Sequence, residues 1–234
     1  MLHFSLLFIL SGCLNKDPVV TIRESGFFRF IVVGESTSLK REDSNSSIIV
    51  GFTDSGQEQE TLDIPREIDG HPVKRIGLRD EGFYHNRSIK VYCSDKLRKV
   101  YIFDNIERIE YFYGEAVDLM ICSDSSIPIE QAVSYNNFYY YKPLFDYDEG
   151  NSIWRPANIN FMNNYPLKDD GGLYRLDNIE TDESIPEPPD PILDGYQFTG
   201  WYTELECANK WDFAVAPTIE ENEDLTLFAG WQLI

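Results

Sequence analysis

The residues of this chain that could do chemistry are few. Apart from His3, only His71 and His85 carry an imidazole, which leaves little material for a Ser-His-Asp or Cys-His nucleophile. Gly34-Glu35-Ser36 lacks the second glycine of a nucleophile elbow. Neither C-x-x-C nor H-E-x-x-H occurs. Carboxylates abound, with 40 Asp and Glu, so a pair suited to glycoside hydrolysis exists by number, yet no position stands out. Asp146-Tyr147-Asp148-Glu149-Gly150 opens like a calcium loop but lacks the later ligands, and reads as a solvated acidic loop. The expectation is a protein with no catalytic residue, no metal and no cofactor.

One cysteine has a definite expected fate. Met1 to Leu10, MLHFSLLFIL, is an apolar run too short to span a bilayer, and Leu10-Ser11-Gly12-Cys13 follows it directly. Polar Asn15, Lys16 and Asp17 come next. This arrangement resembles a bacterial lipoprotein signal, an aliphatic residue and two small residues before Cys. The resemblance implies that Cys13 becomes the mature N-terminus and carries lipid, since two or more acyl chains anchor stably where one does not. No Lys or Arg precedes the apolar run, which departs from that pattern. The expected partner is therefore the membrane, through the lipid, on the extracellular face.

The other cysteines are Cys93, Cys122 and Cys207. Phe83-Tyr84 with Cys93-Ser94-Asp95 is echoed 29 residues later by Phe112-Tyr113 with Cys122-Ser123-Asp124. That offset makes Cys93 and Cys122 equivalent positions of neighbouring coils, within reach of a disulfide. Reduced core thiols are the preferred reading, because cysteine is among the most buried residues.

The elements around these residues are strands. The chain has seven alanines against 14 Tyr and 15 Phe, and no apolar stripe at helical spacing persists over twelve residues. Residues 19 to 33 alternate, residues 35 to 47 are polar, and Ile48-Ile49-Val50 resumes a strand. Residues 62 to 77 place Leu62, Ile64, Pro65, Ile68, Val73, Ile76 and Gly77 in the order of a BspA-type leucine-rich repeat, which they resemble; Val100-Tyr101-Ile102 with Ile106 and Ile109 is a second copy. The resemblance implies a short β-rich solenoid over residues 46–130.

The last third contains all four tryptophans, 154, 201, 211 and 231. Gly195-Tyr196-Gln197-Phe198-Thr199-Gly200-Trp201-Tyr202, then Trp211-Asp212-Phe213, then Thr226-Leu227-Phe228-Ala229-Gly230-Trp231 follow in order. This resembles the Listeria–Bacteroides repeat, also known as the internalin B B-repeat, and implies a small β-grasp-like module over 155–234. By period two, Tyr196, Phe198 and Gly200 share one strand face. Trp201 and Trp231 are expected in the core, because so small a module needs its aromatics inside.

The expected organisation is thus a signal peptide at 1–12, a tether with N-terminal strands at 13–45, repeats at 46–130, a last coil and linker at 131–154, and the module at 155–234. The fold class is mainly β. Net charge is −20, divided as 15 Lys+Arg against 21 Asp+Glu in residues 1–130 and 5 against 19 thereafter. Such an excess of acid argues against nucleic acid as a partner. The resemblances together imply a non-catalytic surface lipoprotein that displays an adhesion or protein-interaction surface. A carbohydrate-binding module using the aromatic stretch Phe138-Tyr139-Tyr140-Tyr141, and a carboxylate hydrolase, are the alternatives; exposed tyrosines or a facing pair of buried carboxylates would distinguish them.

Overall fold

Short β-branched and aromatic runs separated by Gly, Pro, Asn and Asp leave the backbone little choice but strand. A computed structural model describes residues 21–34, 45–79, 89–114, 116–123, 129–130, 137–141, 154–166, 172–180, 183–219 and 223–234. Cys13, Phe83, His85 and the 146–150 loop lie outside the described residues. The described chain is mainly β, with one single-turn helix, and no described helix is long and apolar enough to cross a membrane. It divides into two compact units, residues 1–119 with 127–137, and residues 120–126 with 138–234.

The first unit begins with a hairpin. Strand β1 (Arg23–Ser25) turns through Gly26 and Phe27 into β2 (Phe28–Val32), which pairs antiparallel with β3 (Ser47–Phe52). The described part of the alternation over 19–33, residues 21–33, is therefore a hairpin rather than one strand, and it extends the sheet that β3 opens. Helix α1 (Asp54–Gln57) is capped by the Thr53 side chain, which accepts from the Gly56 amide. Then follow β4 (Thr61–Asp63), β5 (Glu67–Ile68), β6 (His71–Ile76), β7 (Val91–Tyr92), β8 (Lys99–Phe103), β9 (Arg108–Glu110), β10 (Phe112–Tyr113), β11 (Asp118–Cys122) and β12 (Ile129–Glu130). From β3 onward the main ladder is parallel, β3–β6–β9–β12. Two further parallel ladders stand beside it, β4 with β8 and β7 with β10. Each coil visits the three ladders in turn, β4-β6-β7 and then β8-β9-β10.

The register corrects the 29-residue repeat. Val91 pairs with Phe112 and Tyr92 with Tyr113, an offset of 21. The Cys93 amide donates to the Tyr113 carbonyl, so Cys93 lies level with Gly114 and not with Cys122, which ends β11. The physical reason is inward packing. Val91 and Phe112 are both fully buried, and stacking them fixes the ladder. Cys93 and Cys122, the described cysteines of the echo, thus stand at different places in their coils, the first after β7 and the second at the end of β11. In contrast, the second copy named above is the one the backbone pairs: Leu62 with Val100, Asp63 with Tyr101, and Ile76 with Ile109. Gly77 ends β6 at φ +74°, and a Cβ there would meet the Glu110 carbonyl oxygen at 1.6 Å. Only glycine lets two neighbouring coils approach so closely.

The second unit opens with a parallel pair, β13 (Asn137–Tyr140) and β14 (Trp154–Pro156). The Phe138 and Trp154 rings lie 4.8 Å apart. Strands β15 (Ile159–Met162), β16 (Leu173–Asp177), β17 (Tyr196–Tyr202) and β18 (Leu225–Leu233) then form one sheet in the order β16-β15-β18-β17. The two hairpin-like pairs are antiparallel and the central β15–β18 pair is parallel. That 2-1-4-3 order is the sheet of a β-grasp. Its described β16–β17 crossover contains no helix.

Candidate interaction surface

The sheet of the second unit buries Ile159, Phe161, Trp201, Leu227 and Ala229, with Ile179 and Ile185 closing over them. Trp201 is 1% exposed and sits at the centre, 4.9 Å from the Phe161 ring, 5.3 Å from Phe198 and 5.7 Å from Tyr174. Its core placement is as expected. Trp231 is half-buried at the margin of the same cluster, where it rests against Phe198 and Tyr165 and donates its indole N–H to the Asn163 carbonyl at 2.7 Å.

Period two fails within β17. Phe198 pairs with Trp231, but Gly200 pairs with Gly230, so Thr199 is an extra residue. The bulge reverses parity: Trp201, not Gly200, joins Phe198 on the core side. Gly200, at φ +135°, occupies a notch where a Cβ would meet the Lys210 side chain at 2.2 Å. Lys210 uses that notch to reach across and donate to the Thr199 carbonyl at 2.6 Å. Beyond Tyr202 the chain returns in a tight loop, with the Thr203 amide bonded to Asn209 O and the Trp211 amide to Trp201 O.

Two side chains hold this loop, and neither has a signal that period or composition could reveal. The Glu204 carboxylate accepts from the Ala208 and Asn209 amides at 2.6 and 2.5 Å and from the Thr203 hydroxyl. Those bonds, the Thr203 hydroxyl first, hold its carboxyl below the usual range. Asn164 donates to the carbonyls of Leu205 at 3.2 Å and Ala229 at 3.1 Å, with the Cys207 thiol 3.5 Å away. It thus clasps the loop to the middle of β18. Leu205, in the loop, and Val215, after it, are exposed.

The remaining candidates resolve as follows. Among the described residues Cys93, Cys122 and Cys207 are thiols, in no disulfide. Burial pushes Cys93 up to about 12 and raises Cys207, with Glu204 and Glu206 adding to the latter and Asn164 opposing. Neither is poised as a nucleophile at neutral pH. Tyr139 and Tyr140 are 5% exposed, which corrects the aromatic platform at 138–141: these rings are needed inside. The buried acids Glu110 and Asp177 belong to different units, the first accepting from the Arg79 amide and the second from the Asn178 amide. No group of three His, Cys, Asp or Glu suited to a metal occurs among the described residues. On the first unit, Tyr92 is 58% exposed and stacks on Tyr113, ring centroids 5.4 Å apart, with the Lys90 ammonium 5.3 Å from the Tyr113 ring.

Comparison with known families finds a likeness for most of the aromatic sheet. Residues 165–230 match the Listeria–Bacteroides repeat domain. The repeat domain so defined covers β16, β17 and most of β18, including the bulge, the Glu204 loop and the Lys210 notch. The chain is also similar to Internalin H of Listeria monocytogenes serovar 1/2a, with 43% identity over 55 residues. That alignment takes in 24% of this chain and 10% of Internalin H, so the chain spans only a small part of that relative. No described side chain of the repeat domain forms a reactive constellation. What it offers is a rigid sheet, a clasped loop and exposed apolar residues.

Proposed function

We propose that this chain is a non-catalytic interaction protein of the bacterial cell surface, held by lipid at Cys13 and presenting its solenoid and repeat domain to a protein or glycan partner. The observation that carries this reading is the match of residues 165–230 to the Listeria–Bacteroides repeat domain, supported by the similarity to Internalin H. The leucine-rich-repeat resemblance of residues 46–130 and the parallel coils agree with a display scaffold, since stacked coils bury a continuous core and leave their faces free. The test has two arms. Cys13→Ser should abolish lipid labelling and release the protein from the membrane fraction. Beads coated with the mature chain should adhere to cells above an albumin control. Normal anchoring of the variant would defeat the lipid assignment, and steady turnover of glycosyl or acyl reporter substrates would defeat the non-catalytic one.

A glycan partner is the second reading, and a specific observation favours it. Exposed Tyr92 and half-buried Tyr113 form a stacked aromatic pair on the β7–β10 ladder. Flat aromatic faces of this kind accept the apolar face of a sugar ring. Tyr92→Ala should remove glycan-array binding without unfolding; unchanged array binding would dismiss this reading.

A further inference from the structure

The crossover from β16 to β17 has a pattern of its own. Over Glu183 to Ile192 burial recurs every third residue: Ile185, Pro188 and Pro191 are buried, and the residues between them are exposed. Three residues per turn is the period of a polyproline II helix. Pro186, Pro188, Pro189 and Pro191 fix φ near the required value, and the peptide bonds of this segment are trans. The segment is fastened at two points. Ile185 enters the core cluster, and the Tyr174 hydroxyl donates to the Pro189 carbonyl at 2.8 Å. One edge of the helix is thus used in packing. A second edge faces water and carries Pro186, Pro189 and Ile192 at the same three-residue spacing, with Ile192 88% exposed. A third carries Glu187 and Asp190, also exposed.

We propose that Pro186, Pro189 and Ile192 form a recognition ridge for a protein with an aromatic-lined groove rimmed by Lys or Arg. The ridge is about 19 Å long at roughly 3.1 Å per residue, and it is ordered before it binds. Prolines at i and i+3 on a solvated helix are what such grooves accept, and the preformed helix spares the entropy of ordering. The acidic edge selects the basic rim. Residues 131–234 hold 5 Lys+Arg against 19 Asp+Glu, so the surrounding field acts in the same direction. An exposed isoleucine at the end of the ridge has no packing role here, and in a groove it would be the apolar anchor.

This inference rests on the surface-interaction reading and names its partner. The test is an NMR titration of the ¹⁵N-labelled full chain with two purified probes, a WW domain and an SH3 domain, each chosen for a basic groove rim. Saturable shifts confined to residues 185–193 are expected with at least one probe. Pro186→Ala with Pro189→Ala should weaken binding by roughly tenfold, and Glu187→Lys with Asp190→Lys should do so about as much as added salt. An unchanged melting temperature shows that each variant is folded, and Ile192→Ala, which touches no backbone order, repeats the test independently. No saturable shift with either probe at millimolar concentration, shifts elsewhere on the chain, or full binding by the proline variant would overturn the ridge. Cell adhesion of the same proteins separates the two readings. Adhesion unchanged in the proline variant defeats the ridge alone, whereas a wild-type chain that never adheres defeats the surface reading while the titration still decides the ridge.

Discussion

The solenoid and the repeat domain solve the same problem, a core for short strands, by opposite means. The solenoid stacks interchangeable aliphatics: Val73, Ile76, Val100, Ile102 and Ile109 are all fully buried, and each does what its neighbour one coil away does. The repeat domain gathers one set of large rings around Trp201 and gives each a separate contact. A core of equivalents spreads its stability along the chain. A core of singular residues concentrates it.

The largest effect is therefore expected in the repeat domain. Trp201→Ala should cost about 3–5 kcal/mol and remove the cooperative transition of the second unit. Urea denaturation followed by the signals of the two units would show it, and a variant that stays folded while losing only a binding function would reverse the assignment of Trp201 to the core. Next comes a position in the solenoid that is not interchangeable. Gly77→Ala should cost about 3 kcal/mol, the upper end for a strained backbone, because the Glu110 carbonyl blocks the new methyl. A loss below about 1 kcal/mol would mean that the coils can part there, and that the solenoid shares its load even at its closest approach.

Smaller effects sharpen the picture of the clasped loop. Asn164→Ala removes the donor to Leu205 and Ala229, and should cost about 1–3 kcal/mol, with faster amide exchange confined to residues 203–210 and the middle of β18. Uniform exchange across the sheet would instead make Asn164 part of the core. The smallest effect is electrostatic. Glu204 has its carboxyl lowered in the folded chain, so its contribution is present above the ordinary glutamate range and is lost as pH falls through the lowered folded value. Amide shifts of Ala208 and Asn209 should titrate below the range of a free glutamate, and titration at the ordinary value would show that the three bonds do not hold in solution.

Legibility in the sequence follows the same contrast. The repeat-domain motif is readable because its residues are singular: Phe198, Trp201, Trp211, Phe213 and the closing Trp231 all meet at one core. Only the Thr199 bulge escaped, since an extra residue leaves composition intact and alters parity alone. In the solenoid the copy at Val100-Tyr101-Ile102 is found, but the 29-residue echo through the cysteines misleads. Interchangeable residues permit several registers on paper, and inward stacking of Val91 on Phe112 selects one. Asn164, Glu204 and Lys210 act on backbone carbonyls and amides across a loop, and no spacing rule marks such partners.

The parallel pairing of β15 with β18 has a mechanical consequence. These strands are the first and last of the four-stranded sheet, and they lie side by side at its centre, Ile159 to Met162 against Leu225 to Phe228. Tension applied at the start of β15 and the end of β18 pulls parallel strands past each other, so the rungs between them are loaded in shear and must yield together. The outer hairpins are not on that line. A pulling experiment on the sheet should therefore meet one high, sharp rupture rather than a sequence of small ones, the response of a link that transmits strain without lengthening.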